Sequence, residues 1–175
     1  MDSDQERAAA LAKEGLHLWR TGKLEDALLK YVAALDAVDP NHAALPDYHG
    51  EFAGVLATLG RDAEAFEQYQ ISLTQALRQD PYGTGPAVAI ARYSLGEQLL
   101  KMKQPERALH VITQGLARAG NEEWLLRVVE ARALWVLGRR VESKRSAELA
   151  VLYAPSEKKA TDLRVELAEI LAVAG

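Results

Sequence analysis

Apolar side chains recur every three or four residues along most of the chain, which is the spacing of one face of an α-helix. The pattern is clearest between residues 24 and 38. There Leu24, Leu28, Tyr31 and Leu35 form one stripe, and Ala27, Tyr31, Ala34 and Val38 form a second stripe beside it. Two adjoining stripes on one short helix predict that neighbouring elements cover it on two sides. Because two of these residues are small alanines, we expect a neighbouring helix to approach closely.

Turn signals divide the chain into helix pairs. Thr21-Gly22 ends a first helix near Arg20, and Asp39-Pro40 ends the second. The same spacing then returns at a constant shift of 38 residues, with Ala53, Leu56, Gly60, Ala65, Phe66, Tyr69 and Leu73 repeating Gly15, Leu18, Gly22, Ala27, Leu28, Tyr31 and Leu35. A helix pair cannot bury its own apolar surface alone, so the repetition predicts an array of pairs packed side by side.

Two weaker copies and a last helix follow. Pro86 is placed to begin the third copy after a short linker, Lys103 stands where the first two copies have a turn glycine, and Pro105 opens the next helix. We predict one domain over 1–175 with repeats at about 4–40, 44–81, 86–120 and 122–155. Ser3 and Glu6 fit a capping box at the start of the first helix. A single amphipathic helix over 157–173 is expected to cap the array, with Leu163, Leu167 and Ile170 on its apolar face.

The shared positions resemble the tetratricopeptide repeat (TPR) family, whose unit is a helix–turn–helix of about 34 residues. They comprise a small residue in the first helix, a leucine three residues later, a turn glycine, an alanine early in the second helix, and an aromatic residue four later. In that order they are Gly15, Ala53, Gly96 and Ala131; Leu18, Leu56, Leu99 and Leu134; Gly22, Gly60 and Gly138; Ala27, Ala65 and Ala108; Tyr31 and Tyr69. The resemblance covers nearly the whole chain. It implies an all-α fold, a right-handed superhelical solenoid of antiparallel helix pairs with a C-terminal capping helix.

Ligands of this family usually lie in a concave groove lined by the first helices of the pairs. The resemblance implies a peptide-binding groove here that contains Lys13, Leu16, Trp19, Arg20, Tyr93, Glu97, Leu100, Lys101, Arg132 and Trp135. We expect the two tryptophans to anchor apolar side chains of a peptide or helix, and the cations to orient its acidic groups. Two alternatives stay open. The groove residues could pack against one another or the C-terminal helix, or that helix could itself occupy the groove.

Composition and charge narrow the function classes. The chain has no cysteine, so it has no disulfide framework and no thiolate metal site. Its net charge of −4 is uneven, with 7 Lys/Arg against 14 Asp/Glu in residues 1–80 and 14 against 11 in residues 81–175. The basic residues form no concentrated face, so we expect no nucleic-acid partner. With no apolar run long enough to cross a bilayer and an acidic, helical start, we expect no membrane partner and a cytoplasmic location.

The candidate chemistry is equally restricted. None of the four histidines is paired with a second histidine at helical spacing, and the adjacent carboxylates Glu25-Asp26 and Glu122-Glu123 stand at helix starts, where the helix dipole explains them. No nucleophile motif or phosphate loop is present. We therefore expect no metal, no cofactor and no catalysis. The favoured hypothesis is an adaptor or scaffold for a protein or peptide partner. The alternatives are a structural or assembly subunit that works through self-association, as a possible homo-oligomer, and a helical-repeat enzyme or nucleic-acid binder.

Overall fold

The chain folds into helices connected by short turns. The computed structural model describes residues 2–172, with side chains from residue 4 onward. The helices are α1 Asp2–Arg20, α2 Leu24–Ala37, α3 Leu45–Thr58, α4 Asp62–Gln79, α5 Pro86–Lys101, α6 Pro105–Leu116, α7 Glu123–Val136, α8 Arg140–Leu152, α9 Glu157–Glu166 and α10 Ala168–Leu171, with a short 3₁₀ helix at Gly120–Glu122. Within the described range there is no β-strand, so the all-α prediction is confirmed. The hydroxyl of Ser3, predicted to cap α1, lies outside the described side chains.

The turns inside the four helix pairs share one hydrogen-bonded conformation. In the first turn the backbone N–H of Lys23 donates to Leu18 O over 2.9 Å. The equivalent bond closes the other three turns, running from Arg61 to Leu56, from Gln104 to Leu99 and from Arg139 to Leu134. This is the Schellman arrangement at a helix C-terminus, which requires a residue with positive φ before the donor.

Glycine provides that conformation in three of the turns. The φ angles of Gly22, Gly60 and Gly138 are 79°, 77° and 75°. In the third turn Lys103 adopts a φ of 59°, although it has a side chain. The left-handed region costs a residue with a Cβ roughly 1–2 kcal/mol, so the hydrogen bonds and packing of this turn hold Lys103 in an unfavourable conformation.

Small residues at the helix contacts explain why the pairs pack closely. Ala27, Ala65, Ala108 and Ser143, which occupy the same position in the four second helices, are all 0% exposed. A Cβ at Gly15 would come within 2.9 Å of the Tyr31 ring, and Tyr31 itself is fully buried. The apolar stripes of the sequence are therefore the packed faces of the helices.

The chain divides into two compact units. Unit 1 comprises residues 1–79 and contains α1 to α4, and unit 2 comprises residues 80–175 and contains α5 to α10. Unit 1 has a core built around Tyr31, Val55 and Leu56. Unit 2 contains two buried apolar groups, one around Ile112 and Leu126 and another around Leu163 and Ala147. The single domain and its four repeat boundaries stay predictions.

The C-terminal segment differs in one respect from the single helix that we predicted over 157–173. The helix breaks at Leu167, whose φ and ψ of −105° and 16° separate α9 from α10, and residue 173 lies outside the described range. Leu163, Leu167 and Ile170 are nevertheless buried, as the apolar stripe indicated, and they pack with Val128 of α7 and with Ala147 and Ala150 of α8. The break lets α9 and α10 both cover the last helix pair.

Candidate peptide-binding surface of the first helices

The residues predicted to line the groove belong to the first helix of each pair, which is α1 or α3 in unit 1 and α5 or α7 in unit 2. We call these positions the first-helix face of each unit. Lys13, Arg20 and Lys101 are exposed, and the other predicted residues, Leu16, Trp19, Tyr93, Glu97, Leu100, Arg132 and Trp135, are partly buried. All ten therefore have surface that a ligand can reach.

Trp19 lies across the contact between α1 and α3. Its ring occupies the space that a side chain at Gly54 would need, since a Cβ there would be 2.2 Å from Cη2 of the indole. Its Nε1–H donates to Thr58 Oγ1 over 3.2 Å, and that hydroxyl donates to Gly54 O over 2.8 Å. Much of this predicted anchor is thus engaged within the protein, which is the packing alternative that the sequence left open.

On the same helix as Gly54, Glu51 accepts a hydrogen bond from a buried tyrosine. The hydroxyl of Tyr31 donates to Glu51 Oε2 over 3.1 Å. Burial raises the pKa of Glu51, while the hydrogen bond from Tyr31 and the charge of Arg20 act in the opposite direction. Burial and the charge of Glu51 together raise the pKa of Tyr31, so Tyr31 stays the protonated donor.

In unit 2, Arg132 of α7 joins two carboxylates from different helices. Its Nη1 donates to Glu97 Oε2 of α5 and its Nη2 donates to Glu166 Oε1 of α9, each over 2.5 Å. Burial lowers the pKa of Arg132, but the two carboxylates outweigh that effect and raise it above its ordinary value. We expected this guanidinium to orient acidic groups of a ligand, and the structure already gives it two acidic partners within the protein.

Tyr93 lies beside this group of charges. Burial raises the pKa of its phenol, and the negative charge of Glu97 raises it further. Leu100, on the same helix, packs against the buried group around Ile112 and Val129. The structure therefore brings together three predicted residues, Tyr93, Glu97 and Arg132, and adds Glu166, which we did not predict.

Trp135 lies one helical turn beyond Arg132. Its ring packs against the apolar residues that α9 and α10 bury, and its other side is covered by Arg140, whose guanidinium carbon is 3.5 Å from the ring centroid. Arg140 also donates from Nη1 to the carbonyl oxygen of Trp135 over 3.0 Å. A cation over an aromatic ring stabilises this arrangement, and it leaves part of the ring at the surface.

His49 and His42 take part in hydrogen bonds through their rings. His49 Nδ1 of α3 is 2.8 Å from Gln68 Oε1 of α4, and burial lowers the pKa of His49. His42 Nδ1 accepts from the backbone N–H of Ala44 over 3.2 Å. Among residues 2–172, no three His, Asp or Glu side chains are grouped so that they could hold a metal ion. No helix in the same range is long and apolar enough to cross a membrane.

Several solved structures have a similar backbone. YrrB, described as a TPR protein with an unusual peptide-binding site, has a TM-score of 0.61 and 20% identity over 96% of this chain and 80% of its own. MamA from residue 41 to its end, from Desulfovibrio magneticus RS-1, has a TM-score of 0.64 and 19% identity over 94% of this chain and 95% of its own. BtubC (BKLC) from P. vanneervenii has a TM-score of 0.73 and 14% identity over 97% and 80%.

These likenesses show that the chain has the TPR fold. At 14–20% identity they show the fold alone. No protein-family model matches the sequence, and no curated protein matches it.

Proposed function

We propose that this protein is a non-catalytic adaptor or scaffold that binds a polypeptide on the first-helix faces of its helix pairs. The observation that carries the proposal is the group formed by Tyr93, Glu97 and Arg132, in which side chains from α5 and α7 are held in a defined arrangement and stay partly exposed. Such a preorganised mixture of aromatic and charged groups is typical of peptide recognition. The peptide-binding site described for YrrB, which shares the fold, also supports the proposal.

A selection from a phage-displayed library of random 12-residue peptides tests this function. We expect peptides to be enriched on the immobilised full chain, and a synthetic fluorescent copy of an enriched peptide to bind in anisotropy titrations. Tyr93→Ala is expected to weaken that binding at least tenfold. Val141→Ala, which alters an apolar side chain on α8 that is 71% exposed, serves as the matched control and should leave the affinity unchanged.

The opposite result would contradict the proposal. If Val141→Ala lowers the affinity for the peptide and Tyr93→Ala does not, the binding surface lies on the second helices. Circular dichroism and thermal unfolding of both variants establish that any loss of affinity does not come from loss of the fold.

A second candidate function is a structural or assembly subunit that associates with copies of itself. Large apolar side chains exposed on the second helices and on α9 favour it, among them Leu29 at 69%, Leu152 at 71% and Val165 at 75% exposed. Exposed apolar side chains of this size can contribute to protein contacts. Multi-angle light scattering over a hundredfold range of concentration tests this function, and a constant monomer mass would exclude the homo-oligomer. A cytoplasmic location stays a prediction from the sequence.

A further inference from the structure

We propose that the first-helix face of unit 2 binds a lysine or arginine side chain of the partner polypeptide, at the carboxylates of Glu97 and Glu166 and beside the ring of Tyr93. This inference rests on the peptide-binding function proposed above and names the chemistry of the partner. It reverses the expectation from the sequence that this surface prefers acidic groups.

The charges of Glu97, Arg132 and Glu166 favour a basic ligand. Arg132 brings one positive charge to the group, whereas Glu97 and Glu166 bring two negative charges, and in the described part of the chain Arg132 is the cation bonded to both carboxylates. Glu97, Arg132 and Glu166 by themselves therefore carry an excess of one negative charge, and the exposed Lys101 lies one helical turn from Glu97 on α5. An acidic ligand would have to displace Glu166 from Arg132 and leave that carboxylate unpaired, whereas a basic ligand balances the charge without breaking either bond.

One carboxylate oxygen of Glu97 is an acceptor without a donor. Glu97 Oε2 accepts from Arg132, but Glu97 Oε1 is shielded from water and has no hydrogen-bond partner. A buried polar atom without a partner costs free energy that a donor would recover. The terminal torsion of glutamate is soft, so a small rotation of the carboxylate would present Oε1 to an ammonium or guanidinium group of a ligand.

The aromatic ring of Tyr93 lies beside these carboxylates. Tyr93 makes no hydrogen bond through its hydroxyl in the described part of the structure, and it lies close enough to Glu97 and Glu166 for both charges to raise its pKa. Its ring and hydroxyl can add a cation–π contact and a hydrogen bond to a bound cation. A basic side chain would then be held by two carboxylates and one aromatic ring.

The exposure of the group suits binding. The side chains of Glu97, Arg132 and Glu166 are 30%, 32% and 36% exposed, so each can be reached from solvent but lies mostly within the protein. Solvent and salt screen such partly buried charges less than they screen charges on a fully exposed surface. The interaction should therefore contribute to affinity at physiological ionic strength.

The experiment uses the peptides enriched on the full chain. We expect these sequences to share a lysine or arginine, and replacement of that residue by glutamine to weaken binding about tenfold. Glu166→Gln in the protein should lower the affinity for the unaltered peptide by a similar factor. It should have little further effect on the affinity for the glutamine-substituted peptide. Glu142→Gln is the matched control, because Glu142 is also bonded to an arginine, Arg139, but lies on the second helix α8. It should leave the affinity unchanged.

The outcomes separate this inference from the function on which it rests. If peptides bind but are enriched in aspartate or glutamate, or if Glu166→Gln tightens binding, the inference is wrong while the peptide-binding function stands, and Glu166 acts as an internal competitor of an acidic ligand. If Glu166→Gln has the same effect as Glu142→Gln, the inference is also wrong. If the full chain enriches no peptide, the peptide-binding function fails, and the inference fails with it.

Discussion

At the scale of single residues, positions that resemble one another in sequence have different environments in the fold. Trp19 and Trp135 were both expected to anchor a ligand. Trp19 fills the space that a side chain at Gly54 would need, whereas Trp135 packs against the buried apolar group around Leu163 and the guanidinium of Arg140. Lys103 likewise adopts a conformation that glycine adopts in the three other turns. Residue identity alone did not distinguish these cases, because each depends on contacts made elsewhere in the chain.

Lys103→Gly is expected to stabilise the protein. Glycine removes a steric cost of roughly 1–2 kcal/mol at positive φ but gives the unfolded chain about 0.4–1 kcal/mol more conformational freedom. The net gain in the free energy of unfolding should be about 0.5–1 kcal/mol, measured by urea denaturation. Lys13→Gly, at an exposed position within α1, is the matched control and should lower the free energy of unfolding by about 1 kcal/mol. A loss at both positions would contradict the strain assigned to Lys103.

Gly54→Ala should destabilise the protein because the new methyl group would overlap the Trp19 ring. The overlap places Cβ 2.2 Å from Cη2 of the indole, and overpacking of this kind costs about 1–3 kcal/mol. Gly50→Ala, in the same helix, meets only the Ser72 hydroxyl at 3.4 Å and should stabilise α3 by up to about 1 kcal/mol. Thermal unfolding compares the two variants. Equal effects would show that Trp19 moves aside without cost.

At the scale of helices, the pairs are joined by side chains that sequence spacing does not identify. His49 of α3 is hydrogen-bonded to Gln68 of α4, and burial lowers its pKa. Arg132 of α7 is bonded to helices on both sides. The four turns, in contrast, follow from local hydrogen bonds that the turn positions indicated in advance. The geometry of the turns is therefore easier to predict from the sequence than the side-chain contacts between helices.

The α3–α4 contact should make stability depend on pH. The pKa of His49 is lowered in the folded state, so folding favours the neutral ring. Its contribution to stability is complete above the unfolded value of about 6.5 and is lost as the pH falls through the lower folded value. We expect His49→Gln to reduce the loss of stability between pH 7.5 and pH 5, as measured by denaturant titrations. His17→Gln, at an exposed position, is the control, and identical pH profiles for all three proteins would contradict the assignment.

At the scale of the whole molecule, each unit contains its own buried core. The core of unit 1 involves α1 to α4, and α9 and α10 cover α7 and α8 in unit 2. In repeat proteins each helix pair is stabilised mainly by contacts with the adjacent pairs. A destabilising substitution in one core should therefore affect mainly the helices of the unit that contains it. Self-association and the identity of the partner are also decided at this scale, and the experiments described above address them.

Leu163→Ala tests whether the two units unfold independently of each other. Leu163 is 1% exposed, and its truncation should cost about 2–5 kcal/mol in unit 2. Hydrogen exchange should then accelerate in α7 and α8 and remain unchanged in α3 and α4. Leu56→Ala, which removes an equally buried leucine from unit 1, should produce the opposite distribution. Equal acceleration in both units would show that the molecule opens as one cooperative unit.

The sequence by itself determined the helices, the turns and the residues packed between them, because helical periodicity, turn conformation and the need for small side chains are local properties. Only the tertiary structure decided what the predicted binding residues contact. The bond between Arg132 and Glu166 joins residues 34 positions apart, and Trp19 meets Gly54 through the packing of α1 on α3. Such contacts depend on how one helix face meets another. For this reason the predicted position of a ligand came from the repeat, whereas the charged partners of the predicted residues became visible only in the fold.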